Sequence, residues 1–347
     1  MWETRNTTPF AAQGYLERDP AGREHWVGAV RASFDLAAGA LPRVTPEQPP
    51  VRLAQCFDDS GQELIEESDF APFRPEADIV LRGTAHPPGP RQTGAFSFGF
   101  LIGRIRREMV CHGPRRMARR GTALAVETLG PAVATPISWR ETFGGRERFP
   151  RTGEPEGPDA LNRDNPVGRG WSVDPAGRIP QGGALDLPPI EVAGDTVVPG
   201  APLPAPAGCG AIAPHWAVRL PLAGRFDARW EAERHPLMPE DFDARFFHAA
   251  PAAQRAPLVG GEPMRLVNLV PGGVPVDFRL PQLLIDAQTR IGRDLVETRM
   301  RLVAVIVDAD RARLTMVYNT AVPCPGRDAE VAYSRVRLRQ ASGMVRA

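Results

Sequence analysis

The stretch GAFSFGFLIGRIRREM, residues 94–109, places Phe96, Phe98 and Phe100 on one side of an extended chain, and Ile102 continues the row. Apolar residues at every second position mark a strand with one buried face. Upstream, residues 77–84 (ADIVLRGT) form a second candidate, closed by the turn-rich HPPGP at 86–90. Residues 27–36 (VGAVRASFDL) make a third. Beyond the break at Gly113-Pro114, residues 123–129 and 132–139 are two more. Toward the far end, 277–280 and 283–291 read as strands, the second alternating Leu283, Ile285, Ala287, Thr289 and Ile291. Residues 300–307 and 314–322 flank 308–313 as strand, turn and strand, and 331–338 supplies a last strand.

Composition agrees with that pattern. The chain has 347 residues, with Gly 34 and Pro 38. Proline stands at about twice its usual share of roughly 5%, and it breaks helix interiors. The expected fold is therefore mainly β: antiparallel sheets, sandwich or barrel-like, with long ordered Gly/Pro-rich loops and few short helices. The length exceeds one ordinary hydrophobic core, so two lobes are expected. Residues 1–143 would form the first and 215–347 the second. Between them, 144–214 loses its periodicity and reads as an ordered connecting region, because Asn165, Arg169 and Trp171 are costly to place in a free linker.

All 42 basic residues are arginine, which excludes a phosphate loop ending in Gly-Lys and a Schiff-base lysine. A net charge of +1 gives no bulk attraction to nucleic acid or to an anionic membrane. Cys56, Cys111, Cys209 and Cys324 lie too far apart for a zinc clip and too few for a secreted disulfide scaffold. The amino-terminal MWETRNTTPFAAQGYL lacks a signal-peptide pattern, and the longest apolar runs, 95–103 and 302–307, are far too short to cross a membrane. The expected location is the cytoplasm.

No catalytic set assembles from the motifs. Ala95-Phe96-Ser97-Phe98-Gly99 lacks the first glycine of a nucleophile elbow. Asp308-Ala309-Asp310 starts like a calcium loop, but arginines follow and no glycine turns the chain. Asn165-Pro-Val-Gly-Arg-Gly170 neither follows a buried parallel strand nor opens a helix, so it is not a dinucleotide fingerprint. Arg104, Arg106, Arg107, Arg115, Arg116, Arg119 and Arg120 form a basic run without interleaved exposed aromatics, which suits a solvated strand face or an acidic protein. His235, Glu240, Asp241, Asp243 and His248 are the one group able to hold a metal or move a proton. The plainer reading is that the acids cap a short helix near 239–247, behind Pro239, with Phe242, Phe246 and Phe247 packing beside it. Neither a cofactor nor a metal is expected.

The densest aromatic and arginine content lies between His215 and Glu262, the composition that folded cores and protein contacts both favour. Seven motifs occur in order along the chain. They are Ser68-Asp69-x-Ala71-Pro72-Phe73-Arg74-Pro75-x-x-Asp78, Pro136-Ile137-x-Trp139-x-x-x-Phe143-Gly144-Gly145, Asn165 to Gly170 and Leu187-Pro188-Pro189-Ile190-Glu191. Then come Gly224-x-Phe226-Asp227-x-x-Trp230, Leu237-x-Pro239-x-Asp241-Phe242-Asp243-x-x-Phe246-Phe247 and Gly260-Gly261-Glu262. This series resembles the bacterial domain-of-unknown-function family 2169, found beside type VI secretion genes, over residues 10–325. The chain departs from the family at Arg74, where a lysine is usual, at 113–117, where Gly-Asp-Arg-x-Trp is degraded, and at Tyr318, where a tryptophan is expected.

The resemblance implies a non-enzymatic adaptor or chaperone. Such a protein would bind an effector, often one with a PAAR-like tip domain, and help mount it on the VgrG spike. Candidate partner contacts are Trp139, Phe143, Asn165, Arg169, Trp171, Trp230, Asp241, Phe242, Asp243, Phe246 and Phe247. Two other classes stay open: an unrecognised enzyme or toxin using the group around Asp241, and a carbohydrate-binding β module.

Overall fold

The computed structural model describes residues 2–71, 73–89, 93–154 and 160–346. Pro72 of the first motif, Pro90 of the 86–90 turn and residues 155–159 of the connecting region lie outside them. The chain is mainly β, and its largest sheet has seven strands. In spatial order six of these are Arg255–Ala256, Ala77–Arg82, Arg301–Asp308, Arg313–Pro323, Glu24–Asp35 and Ala11–Arg18; Arg43–Val44 adds to the side of Glu24–Asp35. Only Ala77–Arg82 and Arg301–Asp308 run parallel within it.

Period-two alternation gives this central sheet two unlike faces. Val30, Ala32, Phe34, Ile79, Leu81, Val305, Val307, Leu314 and Met316 all join the main apolar core. Their neighbours Arg31, Ser33, Asp78 and Thr315 are also buried, on the other face. Against the apolar face packs a five-stranded antiparallel sheet, ordered Ile190–Val192, Ile105–His112, Ala95–Ile102, Pro263–Val267 and Val276–Arg279. The 94–109 run is thus a hairpin rather than one strand. Gly103, at φ 53°, and Arg104 make its turn. Phe96, Phe98, Phe100 and Ile102 are buried as their spacing predicts, each worth roughly 1.5–3 kcal/mol of burial. Gly99 cannot carry a side chain: a Cβ there would meet the Arg107 carbonyl oxygen at 2.0 Å.

Glu3–Asn6, Val331–Ser342, Gln282–Ile291 and Asp294–Arg299 form a four-stranded sheet whose Leu283, Ile285, Ala287 and Val336 enter the same core. A three-stranded sheet joins Ala123–Thr128, Arg115–Arg120 and Ala184–Leu187. None of the sheets among the described residues closes on itself, so the barrel-like form is not adopted. Strands from 1–143 and from 215–347 are neighbours in the central sheet and share its core, because Arg313–Pro323 pairs along Glu24–Asp35.

Two local expectations need correction. Of residues 132–139 only Thr135–Pro136 is a strand; Ser138 accepts from the Arg140 N–H and starts a 3₁₀ turn at Trp139–Glu141. The helix near 239–247 is reduced to one 3₁₀ turn at its end. Asp243 caps a 3₁₀ turn at Ala244–Phe247, while the Asp241 carboxylate accepts from the Arg225 N–H instead. The α-helix of this segment is Ala228–Glu233, capped by Asp227. Among the described residues no helix is long and apolar enough to cross a membrane.

The four cysteines are free, with Cys111, Cys209 and Cys324 buried and Cys56 half-buried. Burial pushes the Cys209 thiol up to about 11. In native protein a disulfide reagent such as DTNB is expected to consume one thiol quickly, that of Cys56. The other three should react only after denaturation, and rapid reaction of more than one would contradict this packing.

Candidate functional site

The second face of the central sheet is covered by residues 45–71, 73–75 and 209–254, and charge holds that cover in place. Arg31 points down from its strand and donates to both Asp69 oxygens at 3.0 and 3.1 Å and to Glu66 at 2.7 Å. Arg52 and Arg82 also reach Glu66, at 2.9 and 2.7 Å, and Arg82 continues to Asp308 at 2.8 Å. Burial opposes the charge on Arg31, yet Asp69 and Glu66 hold it protonated. Burial likewise opposes ionisation of Glu66, and its three arginines keep the carboxyl below the usual range.

A few residues away, Asp78 accepts from the Ala249 N–H at 2.7 Å and bonds the His248 ring at 2.6 Å, with Arg74 at 3.8 Å. Burial would raise this carboxyl, but Arg74 and His248 keep it low. Arg74 also donates to the Phe247 carbonyl at 2.7 Å. Arg219, 2% exposed, donates to Glu67 and to the carbonyls of Ile212 and Phe246, and its guanidinium lies 5.2 Å from the Phe246 ring centre. The 242–248 backbone is therefore held by arginines from beneath, and its three phenylalanine rings are half-buried, with Phe246 resting against the Arg219 guanidinium.

Phe242, Phe246 and Phe247 are half-buried and meet edge to face at 5.4–6.4 Å. Phe247 continues the row to Phe73 at 6.0 Å. Beside them, residues 225–241 form a surface excursion with its own small core. Trp230 meets Phe226 at 4.8 Å and His235 at 5.2 Å edge to face, and donates to the Leu237 carbonyl. The Ala228–Glu233 helix has no buried residue, and Phe226 is 57% exposed. A cleft of about 210 Å³ beside it is lined by Trp230, three arginines and four carboxylates.

The predicted contact residues divide by burial. Phe242, Phe246, Phe247 and Trp230 are half-buried together with Asp243, and Asp241 is exposed, all within this region. Arg169 is exposed and ion-pairs with Glu141, and Trp171 is half-buried in the connecting region. Trp139, Phe143 and Asn165 are corrected to interior positions: each is under 5% exposed. Trp139 packs edge-on against Trp216 at 5.4 Å, and the Asn165 amide donates to the Trp139 and Phe143 carbonyls and the Thr142 hydroxyl. Asn165 thereby fixes the loop that pairs Phe143–Gly144 with Arg169–Gly170.

The proposed acid–base group does not converge. His248 is buried on Asp78, His235 packs edge-on against Trp230, Asp241 accepts from the Arg225 N–H and Asp243 caps the Ala244–Phe247 turn. Among the described residues no three of His, Cys, Asp and Glu gather as a metal set. The basic run is largely engaged: Arg115 with Glu191, Arg116 and Arg120 with Glu127, and Arg106 with Glu108. The Asp308–Asp310 turn uses its carboxylates on Arg82, Arg311 and Thr84. Sequence reasoning missed Arg74 and Arg219 as positioning residues; their only signal is an arginine set among apolar and aromatic neighbours.

A family profile described as "Uncharacterized protein conserved in bacteria (DUF2169)" matches residues 21–319. Neither a curated protein nor a solved structure matches the chain.

Two substitutions separate support from surface. Trp216→Ala is expected to cost about 3–5 kcal/mol in urea unfolding, because Trp216 is 1% exposed. Trp230→Ala should cost about 1 kcal/mol or less, and equal losses would contradict the division. Asp78 gives a pH test. Its folded pKa is depressed, so its contribution is complete above the unfolded carboxyl value near about 3.9 and lost as pH falls through the lower folded one. The stability difference between wild type and Asp78→Asn should shrink on acidification below that value; a constant difference would refute the assignment.

Proposed function

The chain belongs to the DUF2169 family of bacterial proteins, and from that membership and the surface above we propose that it is a non-enzymatic adaptor that binds a type VI secretion effector. The cargo would be a PAAR-like tip protein or a toxin, loaded on the VgrG spike from the cytoplasm. One observation carries the reading. The half-buried rings of Phe242, Phe246 and Phe247 sit on backbone held by the buried Arg74 and Arg219, so this patch is stiff before it meets a partner, and the exposed arginines and aromatics of 225–241 lie beside it. Aromatic and arginine anchors dominate protein contacts, and a preorganised surface loses less entropy on binding. The dispersal of the His235, Asp241 and His248 group supports binding over chemistry. The gene neighbourhood that the family resemblance implies supplies the choice of effector.

Co-expression with the PAAR-like or toxin product of its own gene cluster tests this. A complex should co-purify, and the cargo should be less soluble without it. Phe226→Ala combined with Trp230→Ala should release the cargo while leaving the adaptor folded. If no neighbouring product binds, the adaptor reading fails.

A further inference from the structure

The three-stranded sheet ends in an open edge at Ala123–Thr128. Its one strand partner is Arg115–Arg120, joined through a two-residue turn with Gly121 at φ 60°. Bonded pairs alternate along such a hairpin, starting from Arg120 and Ala123 beside the turn. Two bonds fix the phase. The Leu129 N–H continues the ladder onto the Pro114 carbonyl, and the Arg119 N–H turns the other way, to the Gly183 carbonyl. The N–H and C=O groups of Leu124, Val126 and Thr128 therefore point out of the sheet edge. Among the described residues none of them takes a backbone partner there.

Sheet edges are ordinarily guarded by charge, proline or a bulge. The edge strand Asp294–Arg299, of equal length, carries Asp294, Glu297 and Arg299. Ala123–Thr128 has no proline, no register shift and one charged residue, Glu127, which Arg116 and Arg120 hold at 2.8 and 2.6 Å. Ala123 and Ala125 are exposed on one face, and Leu124 and Val126 are half-buried on the other. This edge is complementary to itself. A two-fold axis through Ala125 keeps every residue on its own face and sets Ala125 against Ala125, Leu124 against Val126 and Ala123 against Glu127. The open backbone groups of Leu124 and Val126 then meet as bonded pairs, and no like charges stand opposite. Because Ala123 lies beside Arg120 in its own hairpin, the row places Glu127 of one copy toward Arg120 of the other, with only an alanine methyl between.

We infer that two copies of this chain pair antiparallel along Ala123–Glu127 and join their three-stranded sheets into one of six strands. Size and charge together select a second copy as the occupant. Alanine suits the close approach at the axis, and each Glu127 falls between arginines of both copies. The pairing stands apart from the adaptor reading, since no effector is needed to test it.

Sedimentation velocity on the full chain over a concentration series should show a monomer passing to a dimer. Ala125→Glu and Ala125→Lys each set like charges face to face at the axis, where opposed side chains are closest. Each variant alone should stay monomeric at concentrations where the wild type pairs. Ala125 is exposed, so both should keep the wild-type melting temperature. Mixed in equal amounts, the two variants should pair again, with glutamate against lysine. A wild-type chain that stays monomeric at every concentration overturns the inference and leaves the edge to an extended strand of another protein. Dimers that persist in either variant alone, a mass beyond the dimer, or a mixture that stays monomeric each overturn it as well.

Discussion

The buried ion network on the second face of the central sheet is the constraint on which the remaining structure depends. Five arginines, Arg31, Arg52, Arg74, Arg82 and Arg219, meet five carboxylates, Glu66, Glu67, Asp69, Asp78 and Asp308, where the cover of residues 45–71, 73–75 and 209–254 meets the sheet. Burying charge is expensive, and a buried pair adds little net stability. What the network supplies is position. Removing one member would strand its partner in a medium where a lone charge is far costlier than a lost contact. The cover has little helix or strand of its own, so its register on the sheet is set by these pairs and by arginine bonds to the carbonyls of Ile212, Phe246 and Phe247.

The absence of lysine gives this arrangement its chemistry. A guanidinium presents several donors in one plane and is weakly hydrated, so it can serve a carboxylate and a carbonyl at once from a buried place. Arg219 does this with Glu67, Ile212 and Phe246 while its flat face lies near the Phe246 ring. Arg74, where the resembled family usually carries lysine, joins Asp78 to the Phe247 carbonyl in the same way. An ammonium offers a single point of charge and could not hold two separate segments with that geometry.

Much of the β scaffold was legible in sequence because one face of each long strand is apolar. Phe96, Phe98 and Phe100 declared theirs, and so did Leu283, Ile285 and Ala287. Of the strands that escaped notice, Glu3–Asn6 and Ala11–Arg18 lie at sheet edges with largely exposed or half-buried side chains, where alternation fades, and Pro263–Val267, inside the five-stranded sheet, is too short to declare a period. The helix expected near 239–247 is cut to a single 3₁₀ turn for a local reason. Asp241 and Asp243 were read as sharing one helix start, but only Asp243 caps the turn, while Asp241 reaches back to the Arg225 N–H. For the site, composition located the 215–262 segment but could not sort its aromatics. Trp216 and Trp230 look alike in sequence, and burial, a property of the whole fold, makes one a core residue and the other a surface ring.

That sorting bears on how a surface of this kind can work. Half-buried rings such as Phe246 and Phe247 are already ordered by the arginines beneath them, so a partner gains their contact area without the cost of ordering them. The 225–241 excursion is built differently. Its helix buries nothing, and Trp230 is held by Phe226, His235 and one carbonyl rather than by the main core. Such an element opens at lower free energy than the sheet it sits on. A rigid ring cluster beside an adaptable excursion lets recognition begin on a preformed patch and finish by local adjustment. The polar base makes this possible, because directed bonds to the Phe246 and Phe247 carbonyls fix this segment and its rings in one place, where a purely apolar base would let them slide.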